Sequence, residues 1–144
     1  MISAQRKILF IHFAGLIGLW LFIISCGQKI KEKKQAIVGQ WQLLEIRAVN
    51  GKIEKAPGLT LYTFKPDDTY KFELDKNDSL VFSYSGVYNV NDKEDVLATD
   101  YTIDGENTKE NAAILSLTSR ELIIKDMSNT GDTILFRKYI PLTK

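Results

Sequence analysis

Thiols and imidazoles are nearly missing from this chain. Its 144 residues hold one cysteine, Cys26, and one histidine, His12. An intrachain disulfide is therefore excluded, and so is a zinc site built on several histidine or cysteine ligands. No glycine-rich phosphate loop is present. Charge of one sign is also lacking: 19 basic residues face 18 acidic ones, which leaves no global attraction to nucleic acid. Helical periodicity is weak after Ile37, and without helices to carry βαβ crossovers a parallel sheet is disfavoured.

What is present begins with an address. Arg6 and Lys7 precede an apolar run from Ile8 to Ile24, followed by Ser25 and Cys26. A positive start, an apolar stretch and a small residue read as a secretory signal. Gly15, Gly18, the mid-run His12 and the terminal cysteine argue against an uncleaved membrane-spanning helix. Ile23-Ile24-Ser25-Cys26 resembles the lipobox of bacterial lipoproteins. The resemblance implies diacylglycerol on the Cys26 sulfur, cleavage between Ser25 and Cys26, and acylation of the new amino group. One acyl chain binds a membrane marginally, at ~0.8 kcal/mol per buried CH₂, whereas two or more hold stably, so a membrane is the expected partner.

Cleavage would remove His12 and lipidation would consume Cys26. The mature chain then has neither imidazole nor thiolate, which excludes Ser-His-Asp and Cys-His nucleophilic catalysis. Its balance becomes 17 basic against 18 acidic residues. Lys29, Lys31, Lys33 and Lys34 follow the lipid site in a polar stretch without an apolar pattern, read as a solvated tether with incidental contact to anionic headgroups. The expected organisation is a signal peptide over 1–25, lipidated cysteine and tether over 26–36, and one domain over 37–144. Gly27 stands where an inner-membrane retention signal would place aspartate. In a host with two membranes the expected location is the outer membrane, facing the periplasm because no acidic export run follows Cys26.

Beyond Ile37, β-branched and aromatic residues recur in short runs between turn residues. Val38–Val49 reads as a strand whose adjacent Leu43 and Leu44 suit a bulge. Leu61–Phe64 and Tyr70–Leu74 flank Pro66-Asp67-Asp68, a hairpin in which Tyr70, Phe72 and Leu74 share the buried face. Leu80–Val90 contains Gly86, the mark of a bend or a close backbone approach. Shorter candidates lie at Val96–Ala98 and Tyr101–Ile103, then a polar loop over Asp104–Asn111. Ala113–Leu117, Glu121–Lys125 and Thr133–Ile140 complete the set. About eight strands at this spacing predict an all-β, antiparallel sandwich or barrel.

Gly39-Gln40-Trp41 resembles the Gly-x-Trp signature of lipocalins. Phe64-Lys65-Pro66-Asp67-Asp68-Thr69-Tyr70 resembles the aromatic-turn-aromatic hairpin of bacterial lipocalin-like domains, Gly86-Val87-Tyr88 their later Gly-x-Tyr strand, and Leu117-Thr118-Ser119-Arg120-Glu121-Leu122 their Leu-Thr-x-x-x-Leu segment. The resemblance implies an up-and-down β-barrel able to hold a small hydrophobic molecule. Gly39 and Trp41 would form the barrel base, with Arg137 lying across the Trp41 indole. Asp68 departs from the pattern, which has glycine there, so a strained residue is expected.

The aromatics Tyr62, Phe64, Tyr70, Phe72, Phe82, Tyr84 and Tyr88 are candidates for lining a ligand cavity and equally for filling it, since eight strands enclose a space that side chains just fill or that admits one small ligand. Two functions follow: a carrier of a small hydrophobic ligand, or a structural module whose packed barrel meets an envelope protein. The carboxylate pairs Asp67-Asp68 and Glu94-Asp95 sit in predicted turns, where acidic residues are usual. No catalysis, metal or cofactor is expected.

Overall fold

The structure, a computed structural model, describes residues 33–91 and 93–141. The expected signal peptide, Cys26 and most of the expected tether lie outside the described residues. Among the described residues nine strands follow one another: β1 (Gly39–Arg47), β2 (Ile53–Lys55), β3 (Leu59–Phe64), β4 (Thr69–Lys76), β5 (Ser79–Asn91), β6 (Val96–Ile103), β7 (Glu106–Leu117), β8 (Glu121–Asp126) and β9 (Thr133–Lys138). From β3 onward each pairs antiparallel with the next, and β1 pairs with both β3 and β9. The sheet thereby closes into an eight-stranded up-and-down barrel, and closure removes the free edges of an open sheet. The short β2 adds to the second half of β1, with Glu45 opposite Lys55. Ala56-Pro57-Gly58 separates it from β3, and the break follows from Pro57 and from the positive φ of Gly58.

Three bulges adjust which side chains face inward. In β1 the register against β9 slips between Leu43 and Glu45, at the adjacent leucines. Trp41 and Leu43 face the interior before the slip, and Ile46, opposite Ile134, packs against the core after it. A side-chain period of two makes a single extra residue enough to swap faces. The second slip leaves Leu115 of β7 out of register and exposed. The third falls where β4 passes Val81 of β5.

β6 and β7 differ from the sequence expectation. The two short candidates are one strand, and Asp104–Asn111 is no loop: Asp104 and Gly105, at φ 52° and 85°, make a tight turn, and residues 106–111 pair with β6 throughout. Left-handed φ at both central residues is the hairpin turn that matches strand twist. The segment has polar residues at inward and outward positions alike, so it carries no apolar alternation. The last strand ends at Lys138 rather than Ile140.

One end of the barrel is closed. Residues 33–37, the end of the expected tether, form a helical turn that seats the fully buried Ile37 against Trp41. The Trp41 indole N–H donates to the Ile37 carbonyl at 2.6 Å. Lys34 pairs with Asp68 and Lys33 with Asp95, fastening the turn to two loops. Around it Phe64, Tyr70, Tyr88, Val90, Leu97, Leu122 and Phe136 form the core. Burial of each such side chain contributes ~1.5–3 kcal/mol.

Candidate functional site

Strand pairing sets the aromatic residues in rows. Tyr62 lies opposite Phe72, and Phe72 opposite Tyr84; in the next row Phe64 lies opposite Tyr70, Tyr70 opposite Gly86, and Gly86 opposite Tyr101. Ring centroids within the rows are 5.0 Å apart for Tyr62 and Phe72 and 4.8 Å for Phe72 and Tyr84. Gly86 leaves a gap that the Tyr70 ring occupies: a Cβ there would stand 2.8 Å from Tyr70 Cε1 and 2.3 Å from the Asp100 carbonyl oxygen. This is the close backbone approach expected of a glycine within a strand.

Packing fills only part of the interior. Beyond Phe64, Leu122 and Phe136 the barrel encloses a chamber of about 460 Å³, within the range of small-molecule sites. Apolar groups, among them Ile124 and Ile134, form its inner wall, and the exposed Glu110, Asn111 and Ser128 border its outer end. The Tyr101 hydroxyl donates to Glu110 Oε1 at 2.7 Å. Burial raises the phenol pKa values of Tyr62, Tyr70, Tyr84 and Tyr101, and the Glu110 charge adds to each rise. These hydroxyls are accordingly held as neutral donors and acceptors. Among the described residues no group of three or more histidine, cysteine, aspartate or glutamate side chains converges to hold a metal.

Four of the seven aromatic candidates line the chamber: Tyr62, Phe64, Tyr70 and Tyr84. Three do not. Phe72 stacks on Tyr84 and meets Tyr62 edge to face, Phe82 lies against Phe72 and Tyr84 with much of its ring exposed, and Tyr88 belongs to the base. There the Tyr88 hydroxyl donates to the Lys65 carbonyl at 2.7 Å. Sequence reasoning missed Thr99, Glu110, Asp126 and Phe136. Phe136 was legible from its period-two spacing with Ile134, whereas Glu110 lay in the stretch read as a loop.

The base corrects a second expectation. Arg137 is exposed on the outward face of β9, and Lys138 takes the place over the indole, its Nζ 4.3 Å from the Trp41 ring. Alternation decides this: Phe136 points inward, so Arg137 points out and Lys138 in. Lys138 Nζ also donates to the Val38 carbonyl at 2.6 Å, and burial pushes its pKa down. Gly39, at φ 125°, makes room, since a Cβ on it would stand 2.6 Å from Lys138 Nζ. Asp68 has the expected left-handed backbone, φ 65°.

A closed antiparallel barrel, plugged at one end and hollow toward the other, has the architecture of barrels that hold a single small ligand. The chain belongs to the lipocalin-like domain family, whose model matches residues 37–124. A crystal structure of an uncharacterized protein from Bacteroides eggerthii superposes with a TM-score of 0.58 at 19% identity, covering 71% of this chain and 98% of that one. The bovine odorant binding protein, as a deswapped triple mutant, aligns at a TM-score of 0.40 and 15% identity over 76% of this chain and 78% of its own. No curated protein matches this sequence.

Proposed function

We propose that this protein is a lipid-anchored envelope protein whose barrel holds a small hydrophobic molecule. The chamber of about 460 Å³ carries the reading: a purely structural barrel gains stability by filling such a space, since each void forfeits packing energy. The polar groups at its outer end suit a ligand with an apolar body and one polar end. The anchor rests on Ser25 and Cys26 behind Ile23 and Ile24, and Gly27 favours the outer membrane, on the periplasmic side. Among the described residues the chain enters the barrel through the turn over 33–37, at the closed end.

Native mass spectrometry with organic extraction of the protein from its own host tests the binding function. A stoichiometric small molecule released on denaturation is the expected result. A chamber that arrives empty and takes up no apolar probe overturns the reading. For the anchor, intact mass should show Cys26 as the first residue carrying acyl chains, and Cys26→Ser should release the protein from the membrane fraction.

A further inference from the structure

Strand register sorts the charges around the chamber into those that face in and those that face out. On β7 the inward set is Thr108, Glu110, Ala112 and Ile114, and on β8 it is Leu122, Ile124 and Asp126, because Ala112 lies opposite Asp126 and Ile114 opposite Ile124. Both inward carboxylates, Glu110 and Asp126, border the chamber. One basic residue, Lys109, also borders it, but on the outward set. Lys109 lies in register with Asp100, its Nζ is 3.4 Å from that carboxylate, and its side chain is 73% exposed.

The two carboxylates differ in what already occupies them. Asp126 accepts hydrogen bonds from the Ser128 and Thr130 hydroxyls and the Ser128 amide, and so is spent on folding the loop that follows β8. Glu110 accepts from Tyr101 through Oε1, and among the described residues no lysine or arginine forms an ion pair with it. Its charge is felt by the hydroxyls of Tyr62, Tyr70 and Tyr84 across the chamber. A carboxylate without an ion pair, beside several phenol hydroxyls, matches an organic cation in two ways: ionic attraction, and hydrogen bonds from the ammonium to the hydroxyl oxygens. An anion such as a fatty-acid carboxylate would meet Glu110 and Asp126, and among the described residues the one cation that borders the chamber, Lys109, is on the outward set.

The geometry points to an organic cation, an amine or ammonium carried on an aromatic or apolar body, as the ligand class of the chamber, with Glu110 as its counter-ion and Tyr62, Tyr70 and Tyr84 as its seat. This rests on the binding function proposed above and narrows it.

Three probes with one indole body and different charge test it: tryptamine, tryptophol and indole-3-acetate, titrated calorimetrically into the full chain in a non-ionic detergent. Tryptamine should bind tightest and indole-3-acetate weakest. Glu110→Gln keeps an acceptor for the Tyr101 hydroxyl and should weaken tryptamine about tenfold, the equivalent of ~1.4 kcal/mol, while leaving tryptophol unchanged. Equal or tighter binding of indole-3-acetate overturns the inference, as does a tryptamine affinity that Glu110→Gln does not change. The uncharged probe N-phenyl-1-naphthylamine separates the two levels. If it binds while tryptamine does not, the charge assignment fails and the chamber still binds ligands. If none of the probes binds, the binding function fails and the assignment falls with it.

Discussion

Lys138 Nζ stands 4.3 Å above the Trp41 ring while donating to the Val38 carbonyl, so one cation closes the barrel base by holding both the plug and the chain that leads into it. Lys138→Ala should cost about 1–2 kcal/mol from the lost ring contact and hydrogen bond. Arg137→Ala, on the exposed face, should stay within about 0.5 kcal/mol. Urea unfolding midpoints of the two variants separate the residues directly.

The cap is held by burial more than by charge. Ile37 is fully buried, and Ile37→Ala should cost about 2–5 kcal/mol. The Lys34 and Asp68 side chains are roughly half exposed, and Lys34→Ala should cost under about 1 kcal/mol. A larger loss for Lys34→Ala than for Ile37→Ala in denaturant unfolding would contradict this ordering.

Gly86→Ala tests the close approach between β5 and β6. Its added Cβ would meet the Asp100 carbonyl, which is main chain and cannot swing aside, as well as Tyr70 and Tyr101. A loss of about 1–3 kcal/mol is expected, with altered binding of N-phenyl-1-naphthylamine because the Tyr70 ring must move.

Ala112 faces the chamber between Leu97 and Asp126. Ala112→Trp places a large ring into empty space rather than into packed core. The variant should keep its far-ultraviolet circular dichroism and lose at least about tenfold in probe affinity, or ~1.4 kcal/mol. Unchanged affinity in a folded variant would show that the probe binds elsewhere.

Acid should weaken one side of the barrel. Hydrogen bonds from Lys55 and then from Arg47 hold the Glu45 carboxyl below the ordinary glutamate range. A depressed pKa in the folded state contributes stability that is present above the unfolded value and lost as pH falls through the folded one. Glu45→Gln should therefore flatten the acid limb of a stability-against-pH curve and leave its slope near neutrality unchanged.

Much of this architecture was legible locally. Alternation over Tyr70, Phe72 and Leu74, the Pro66-Asp67-Asp68 turn, the bulge at the adjacent leucines and the glycine within β5 each act over a few residues, so neighbours along the chain suffice to reveal them. The segment over 106–111 was not legible, because a strand facing solvent on one side and the polar outer end of a chamber on the other shows no apolar alternation. Arg137 was misplaced for a related reason: which of two adjacent basic residues points inward depends on the phase of β9, and that phase is set by pairing with β1 and β8.

The amino-acid sequence by itself determined the all-β class, the number of principal strands and the aromatic content of the interior, since hydrophobic period and turn chemistry are local properties. Tertiary structure alone decided that the base is packed and the far half hollow, that Lys138 rather than Arg137 covers Trp41, and that Glu110 borders the chamber with no ion pair among the described residues. Those outcomes depend on barrel closure, which sets residues far apart in the chain opposite one another and leaves a volume that no single strand encodes.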